Sequence, residues 1–80
     1  MKYVYLLKSM AHHDQEYVGL TDDLPKRMKK HNAGESPHTA KFKPCRLVTY
    51  LAFSNPDKAV QFEKYMKSHS GRAFAKKRLR

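Results

Sequence analysis

The order of residue patterns predicts a mixed α and β fold with three short strands and three helices. Strand-type alternation opens the chain in Lys2-Tyr3-Val4-Tyr5-Leu6-Leu7 and returns in Glu16-Tyr17-Val18-Gly19. Helix-start chemistry follows at Asp22-Asp23 with Pro25, and again at Asn55-Pro56-Asp57. At 80 residues the chain is expected to form one small domain spanning residues 1–80, near the lower limit of what one core can stabilise, with no room for a second folded unit.

Each element can be justified in turn. Lys2 to Lys8 puts Tyr3, Tyr5 and Leu7 on one face and Val4 and Leu6 on the other, so it reads as a central strand, apolar on both sides. A polar stretch from Ser9 to Gln15 leads to the second strand, Glu16 to Thr21, and is short enough for an antiparallel hairpin. Asp22 or Asp23 caps a helix of about three turns, Pro25 fits its first turn, and Asn32-Ala33-Gly34 ends it. Glu35 to Pro44 is a basic loop, and Arg46 to Phe53 is a third strand built on Leu47, Val48, Tyr50, Leu51 and Phe53. The second long helix runs to about Ser68, Gly71 is expected to break it, and Arg72 to Leu79 can form a short terminal helix. No repeat, low-complexity segment or linker interrupts the order.

Charge narrows the function. Seventeen Lys plus Arg against seven Asp plus Glu leave a net charge of +10, so an anionic partner is expected, with nucleic acid first. A membrane surface would want a basic amphipathic helix with a bulky apolar face, and none stands out. No apolar run approaches bilayer length and no signal-peptide pattern opens the chain, so a cytoplasmic, nucleoid-associated protein is expected. Cys45 is the single cysteine, which excludes a disulfide framework and a Cys-x-x-Cys zinc site. His12-His13 beside Asp14 has the residue types to catch a metal ion, but its spacing fits a solvated loop better.

Helical geometry separates ordinary charges from unusual ones. Leu24 and Met28 mark the inner side of the first helix, and Arg27 and His31 fall on its border, one turn apart, while Lys26, Lys29 and Lys30 point to water. Taken alone, Arg27 could snorkel over apolar surface and His31 could offset the negative helix C-terminus. On the second helix the inner stripe is Ala59, Phe62 and Met66, with Glu63 beside it among Lys58, Lys64 and Lys67. A salt bridge accounts for Glu63 less well at that inner edge than it would on the outer face. Most strand tyrosines only pack. Tyr5, Tyr17, Arg27, His31 and Glu63 together suit phosphodiester cleavage.

These motifs, in this order, resemble the GIY-YIG nucleases, in particular the small stand-alone members that are little more than the catalytic domain. The resemblance covers nearly the whole chain. Tyr3-Val4-Tyr5 stands for the first motif and Tyr17-Val18-Gly19 for the second. Thr21-Asp22-Asp23-Leu24 with Arg27 and His31-Asn32 matches the helix segment. Thr39 to Pro44 with Leu47 to Phe53 is similar to the loop and third strand, and Phe62-Glu63, Lys67 and Ser70-Gly71-Arg72 to the end of the domain. Two positions depart: Tyr3 replaces the first glycine, leaving the Tyr5 hydroxyl in place, and Cys45 stands where an aromatic often follows the proline.

The resemblance implies an α+β fold, a three-stranded antiparallel sheet flanked by helices, and metal-dependent endonucleolytic hydrolysis of DNA. It implies that Glu63 anchors one divalent cation, Mg2+ or Mn2+, with the DNA phosphate completing the ion's shell. Tyr5 is then the expected general base and Tyr17 orients water or phosphate, although the two could be exchanged. A phenol is a poor base near neutrality unless positive charge lowers its pKa, which Arg27 and the cation could supply. Arg27 would hold the scissile phosphate and His31 would orient or relay a proton to the tyrosines. Gly19 is expected to admit nucleic-acid backbone by absence of bulk, or to mark a bulge. Asn32 would hold His31 or cap a helix. Lys41, Lys43, Arg46, Arg72, Lys76, Lys77, Arg78 and Arg80 are expected to guide phosphates without reading sequence. Structure-selective cutting in DNA repair, recombination or nucleic acid turnover is expected, and a homodimer would be needed to break both strands together. Two other classes share the charge: an inactive nucleic-acid-binding module, and a subunit activated by a partner. A pure binder has no use for an acid facing a phosphate.

Overall fold

The computed structural model describes residues 1–12, 14–35 and 40–79, with Lys41 described by its backbone only. Its elements in chain order are β1 (Lys2–Ser9), β2 (Glu16–Thr21), α1 (Leu24–Asn32), a 3-10 turn (Ala40–Phe42), β3 (Cys45–Phe53), α2 (Pro56–Lys67) and α3 (His69–Arg78). The three strands form one antiparallel sheet in the order β2-β1-β3, so the doubly apolar first strand is central as its sequence requires.

Strand pleating assigns the side chains to two layers. Tyr5 and Leu7 pack with Leu24 and Cys45, joined by Tyr17, Met28, Phe42 and Leu47, which closes the sheet face beneath α1. On the other face Val4 and Leu6 are buried with Ala59 and Met66 of α2 and Ala75 of α3, and Phe62 meets Phe53 at a ring-centroid distance of 5.5 Å. Each fully buried aliphatic side chain contributes about 1.5–3 kcal/mol of transfer free energy. Among the described residues, these two thin layers make up the core.

Capping chemistry sets the helix bounds. Asp23 Oδ1 accepts the Lys26 N–H at 3.1 Å, and Asn55 Oδ1 accepts those of Asp57 and Lys58 at 2.9 and 3.3 Å. The break between α2 and α3 falls at Ser68, and the expectation that Gly71 makes it is corrected. The Ser68 hydroxyl donates to the Tyr65 carbonyl at 2.5 Å, ending α2, and accepts the Gly71 N–H at 3.1 Å, starting α3. Gly71 lies inside α3, where a Cβ would collide with the Tyr65 carbonyl. Its lack of a side chain serves close helix packing.

The third strand begins one residue earlier than expected, at Cys45, and carries an irregularity. Leu6 faces Thr49 while Leu7 faces Leu47, so Val48 is an extra residue on β3. Asn32 neither holds His31 nor caps its own helix. Its Oδ1 accepts the Cys45 N–H at 2.8 Å, tying the end of α1 to the start of β3.

Candidate active site

Tyr5 sits in the centre of the sheet and is 1% exposed. Its cross-strand partner on β2 is Gly19, and a Cβ there would fall on the Tyr5 ring and hydroxyl. The missing side chain therefore lets the phenol lie across the edge strand, an intramolecular use that the sequence reading assigned to nucleic-acid backbone. The Tyr5 hydroxyl reaches His31 Nε2 at 2.9 Å, and this contact is buried.

Tyr17 completes an aromatic trio. Ring-centroid distances are 6.3 Å from Tyr5 to Tyr17, 5.7 Å from Tyr5 to His31 and 5.1 Å from Tyr17 to His31. Tyr5 and Tyr17 come from adjacent strands and His31 from the last turn of α1. His31 is 0% exposed, so it lies fully inside the fold, deeper than the border position expected for it.

Two charges act on this trio. Burial, chiefly, pushes the Tyr5 phenol up to about 12; the Tyr17 phenol and the Glu63 carboxylate raise it further, against the Arg27 guanidinium. The expectation that positive charge lowers the Tyr5 pKa is thus corrected, because desolvation outweighs Arg27. Burial and then Arg27 hold His31 below the usual imidazole value, so it is neutral near pH 7 and does not act as a cation for the helix terminus. Burial also raises the Cys45 thiol. Arg27 and Glu63 come from helices on opposite faces of the sheet, yet the fields of both reach the Tyr5 phenol, beside which the Tyr17 and His31 rings lie.

Glu63 is directed toward a cation. Its side chain is 17% exposed, and Lys67 Nζ lies 2.6 Å from its Oε2, one helical turn on. Beside it an open groove of about 460 Å3 passes round the β2 edge, lined by Tyr17 and Glu16, by Leu6 and Val18 of the other face, and by Met66, Lys67, Arg72 and Ala75 of the helices. Among the described residues no cluster of three or more His, Cys, Asp or Glu side chains could hold a metal unaided. A single hard carboxylate already bearing an ammonium suits a hydrated cation that shares its remaining shell with a substrate phosphate.

The basic residues divide. Arg72 lines the groove beside Tyr17. Arg46 pairs with Lys8 on the face away from the Tyr5 ring, and Lys76, Lys77 and Arg78 end α3 without lining the groove; Lys43 is exposed and does not line it either. The Lys41 side chain, Arg80, Thr39 and His13, hence the His12-His13 pair, lie outside the described residues. The groove itself was illegible in sequence, because it is framed by strand edge and helices 45 or more positions apart.

A family model described as the GIY-YIG catalytic domain matches residues 1–78. The chain belongs to the GIY-YIG family. It is 38% identical over 68 residues to the UPF0213 protein CPE1444 of Clostridium perfringens, covering 84% of this chain and 71% of that one. It is 40% identical over 52 residues to the UPF0213 protein YazA of Bacillus subtilis, covering 64% and 52% respectively. Among solved structures, the NMR structure of the UPF0213 protein BH0048 from Bacillus halodurans is similar at a TM-score of 0.57 and 33% identity, over 95% of this chain and 81% of that one. The sheet and flanking helices are thus those of small GIY-YIG proteins, and the GIY-YIG domain is a nuclease domain. No helix among the described residues is long and apolar enough to cross a membrane.

Proposed function

We propose that this GIY-YIG protein is a divalent-cation-dependent DNA endonuclease that selects substrates by structure rather than sequence, working in DNA repair, recombination or nucleic acid turnover. The observation that carries this reading is the meeting of Tyr5, Tyr17 and His31 in one ring cluster under the opposed charges of Arg27 and Glu63.

The chemistry divides among those residues. A phenol that keeps its proton to about pH 12 cannot itself be the resident base near neutrality, so Tyr5 acts together with His31 and not alone. Tyr17, half-buried on the groove, orients the attacking water. Tyr5 and neutral His31 share one hydrogen bond between the phenol oxygen and Nε2, and the pair can relay a proton as water attacks. Arg27 donates its fork of N–H groups to the nonbridging phosphate oxygens. Glu63 would hold Mg2+ or Mn2+, which supplies charge stabilisation to the phosphate and the departing oxygen. Lys67 and Arg72 accompany the strand through the groove. One such site nicks one strand, so a double-strand cut would take two copies.

Glu63→Ala is the decisive variant. It should abolish Mg2+- or Mn2+-dependent nicking of a panel of single-stranded, nicked, flapped and branched DNAs while leaving DNA affinity nearly unchanged. Equal nicking by the variant and the wild type refutes the proposal.

A further inference from the structure

The α1-bearing face of the sheet is not covered along its whole length. Beyond Tyr5 it opens into a depression of about 380 Å3 lined by Tyr3, Tyr50, Asp22, Asp23, Leu24 and Pro25, which is within the size range of small-ligand sites. Neither tyrosine has a part in the phosphate chemistry. We infer that this depression receives one unpaired nucleobase of the bound strand, an inference that rests on the nucleic-acid-cleaving reading of the neighbouring site.

Ring geometry, charge and position favour a base over other occupants. Tyr3 and Tyr50 meet edge to face, at 5.9 Å between centroids and 68° between planes, and Tyr50 remains 51% exposed. Two rings of this kind at an open cavity offer the π-surface on which a base stacks. The neighbouring position Ala52, paired with Tyr3, contributes only a methyl group and leaves the approach open.

Asp22 and Asp23 are two of the seven acids on a chain of net charge +10, so this is a local negative spot on a basic molecule. Carboxylates repel phosphates but accept hydrogen bonds from exocyclic amino groups. Asp23 is committed through Oδ1 to the Lys26 N–H, which makes the exposed Asp22 the acceptor available to a base. Cytosine offers N4–H, whereas thymine presents only a carbonyl at that position. The depression should therefore favour cytosine over thymine.

Position links it to the site of cutting. Tyr50 is the direct cross-strand partner of Tyr5, and Tyr3 lies two residues along β1, about 7 Å away by strand rise. A nucleotide adjoining the scissile phosphate spans that distance. The larger groove on the other side, with Lys67 and Arg72, suits the sugar-phosphate backbone and belongs to the site already described.

The test is equilibrium binding of fluorescent ten-nucleotide oligo-dC and oligo-dT, and of a blunt duplex, to the whole chain in EDTA, followed by anisotropy. Wild type should bind dC several-fold tighter than dT. Tyr50→Leu should weaken dC binding about tenfold and leave duplex binding unchanged, Tyr50→Phe should retain the wild-type affinity, and Asp22→Asn should erase the preference for dC over dT. Circular dichroism of each variant checks that the sheet persists. Wild-type dC affinity in a folded Tyr50→Leu, or equal wild-type binding of dC and dT, overturns the inference. Because binding is read with the metal chelated, a wild type that binds this way but fails to nick the DNA panel when Mg2+ or Mn2+ is supplied would remove the nuclease reading and keep the base site.

Discussion

The two halves of the candidate active site are built in opposite ways. Tyr5 and His31 are sealed within the fold and joined at 2.9 Å, while Glu63 and Lys67 meet in a one-turn helical bridge whose lysine side chain is 54% exposed. The sealed half has its geometry fixed by packing before any substrate arrives. The open half has its geometry held by a counter-ion that water can replace. Under the proposed chemistry, preorganisation is concentrated where a proton would move, and exchangeability where a cation and a phosphate would enter.

Replacing the sealed half should cost most. His31→Ala leaves a cavity and strands the buried Tyr5 hydroxyl, so urea unfolding should show a loss of about 3–5 kcal/mol, against which a loss under 1 kcal/mol would show that the pair is not a packed unit. Alkali probes the same half without mutation. Because Tyr5 titrates near 12 in the fold and 10 when unfolded, the unfolded chain releases its proton first and stability is complete below pH 10. Between pH 10 and 12 it should fall by up to about 2–3 kcal/mol from this group, and Tyr5→Phe should remove that part of the fall. At the acid end His31 has the opposite sign: its contribution is present above pH 6.5 and is lost as pH falls below it, since the unfolded imidazole takes up its proton first.

Smaller effects sharpen the contrast. Gly19→Ala places a methyl group against the Tyr5 ring and should destabilise by about 1–3 kcal/mol while greatly reducing cleavage, both read from one preparation by denaturation and nicking assays. Lys67→Met, in the open half, should change stability by less than about 0.5 kcal/mol. It should nevertheless raise Mn2+ affinity in the absence of DNA, measured by calorimetry, because the ammonium no longer competes for the carboxylate. Unchanged metal affinity would show that Lys67 and the cation do not share Glu63.

Local patterns carried most of the architecture. The alternation in β1, the Asp23 and Asn55 caps, and the inner stripes of α1 and α2 are short-range signals, and each stands where residue spacing puts it. Of the five site residues, Arg27, His31 and Glu63 could be singled out because they occupy inner or edge positions poorly suited to plain solvation, and Tyr5 and Tyr17 through the motifs that contain them. What escaped was long-range. Burial of Tyr5 and His31 depends on layers contributed by other elements, so the sign of the Tyr5 shift had no local signature. Ser68 outranked Gly71 as the break because one hydroxyl can finish one helix and start the next, whereas a glycine can equally mark close contact. The Tyr3–Tyr50 depression depends on strand register, and the contiguous Leu47-Val48 pair conceals the register change.

Val48 gives β3 one residue more than β1 between the Leu7–Leu47 and Leu6–Thr49 pairs, and the bulge absorbs it without moving Tyr50 off the face that carries Tyr5. Deleting it would leave Leu6 facing Thr49 and Tyr5 facing Tyr50, so the bend of the bulge would go while Tyr50 kept its face. A one-codon change would thus alter the local twist of β3 and not its partners, so this scaffold can gain or lose a residue here without rearranging the face that carries Tyr5.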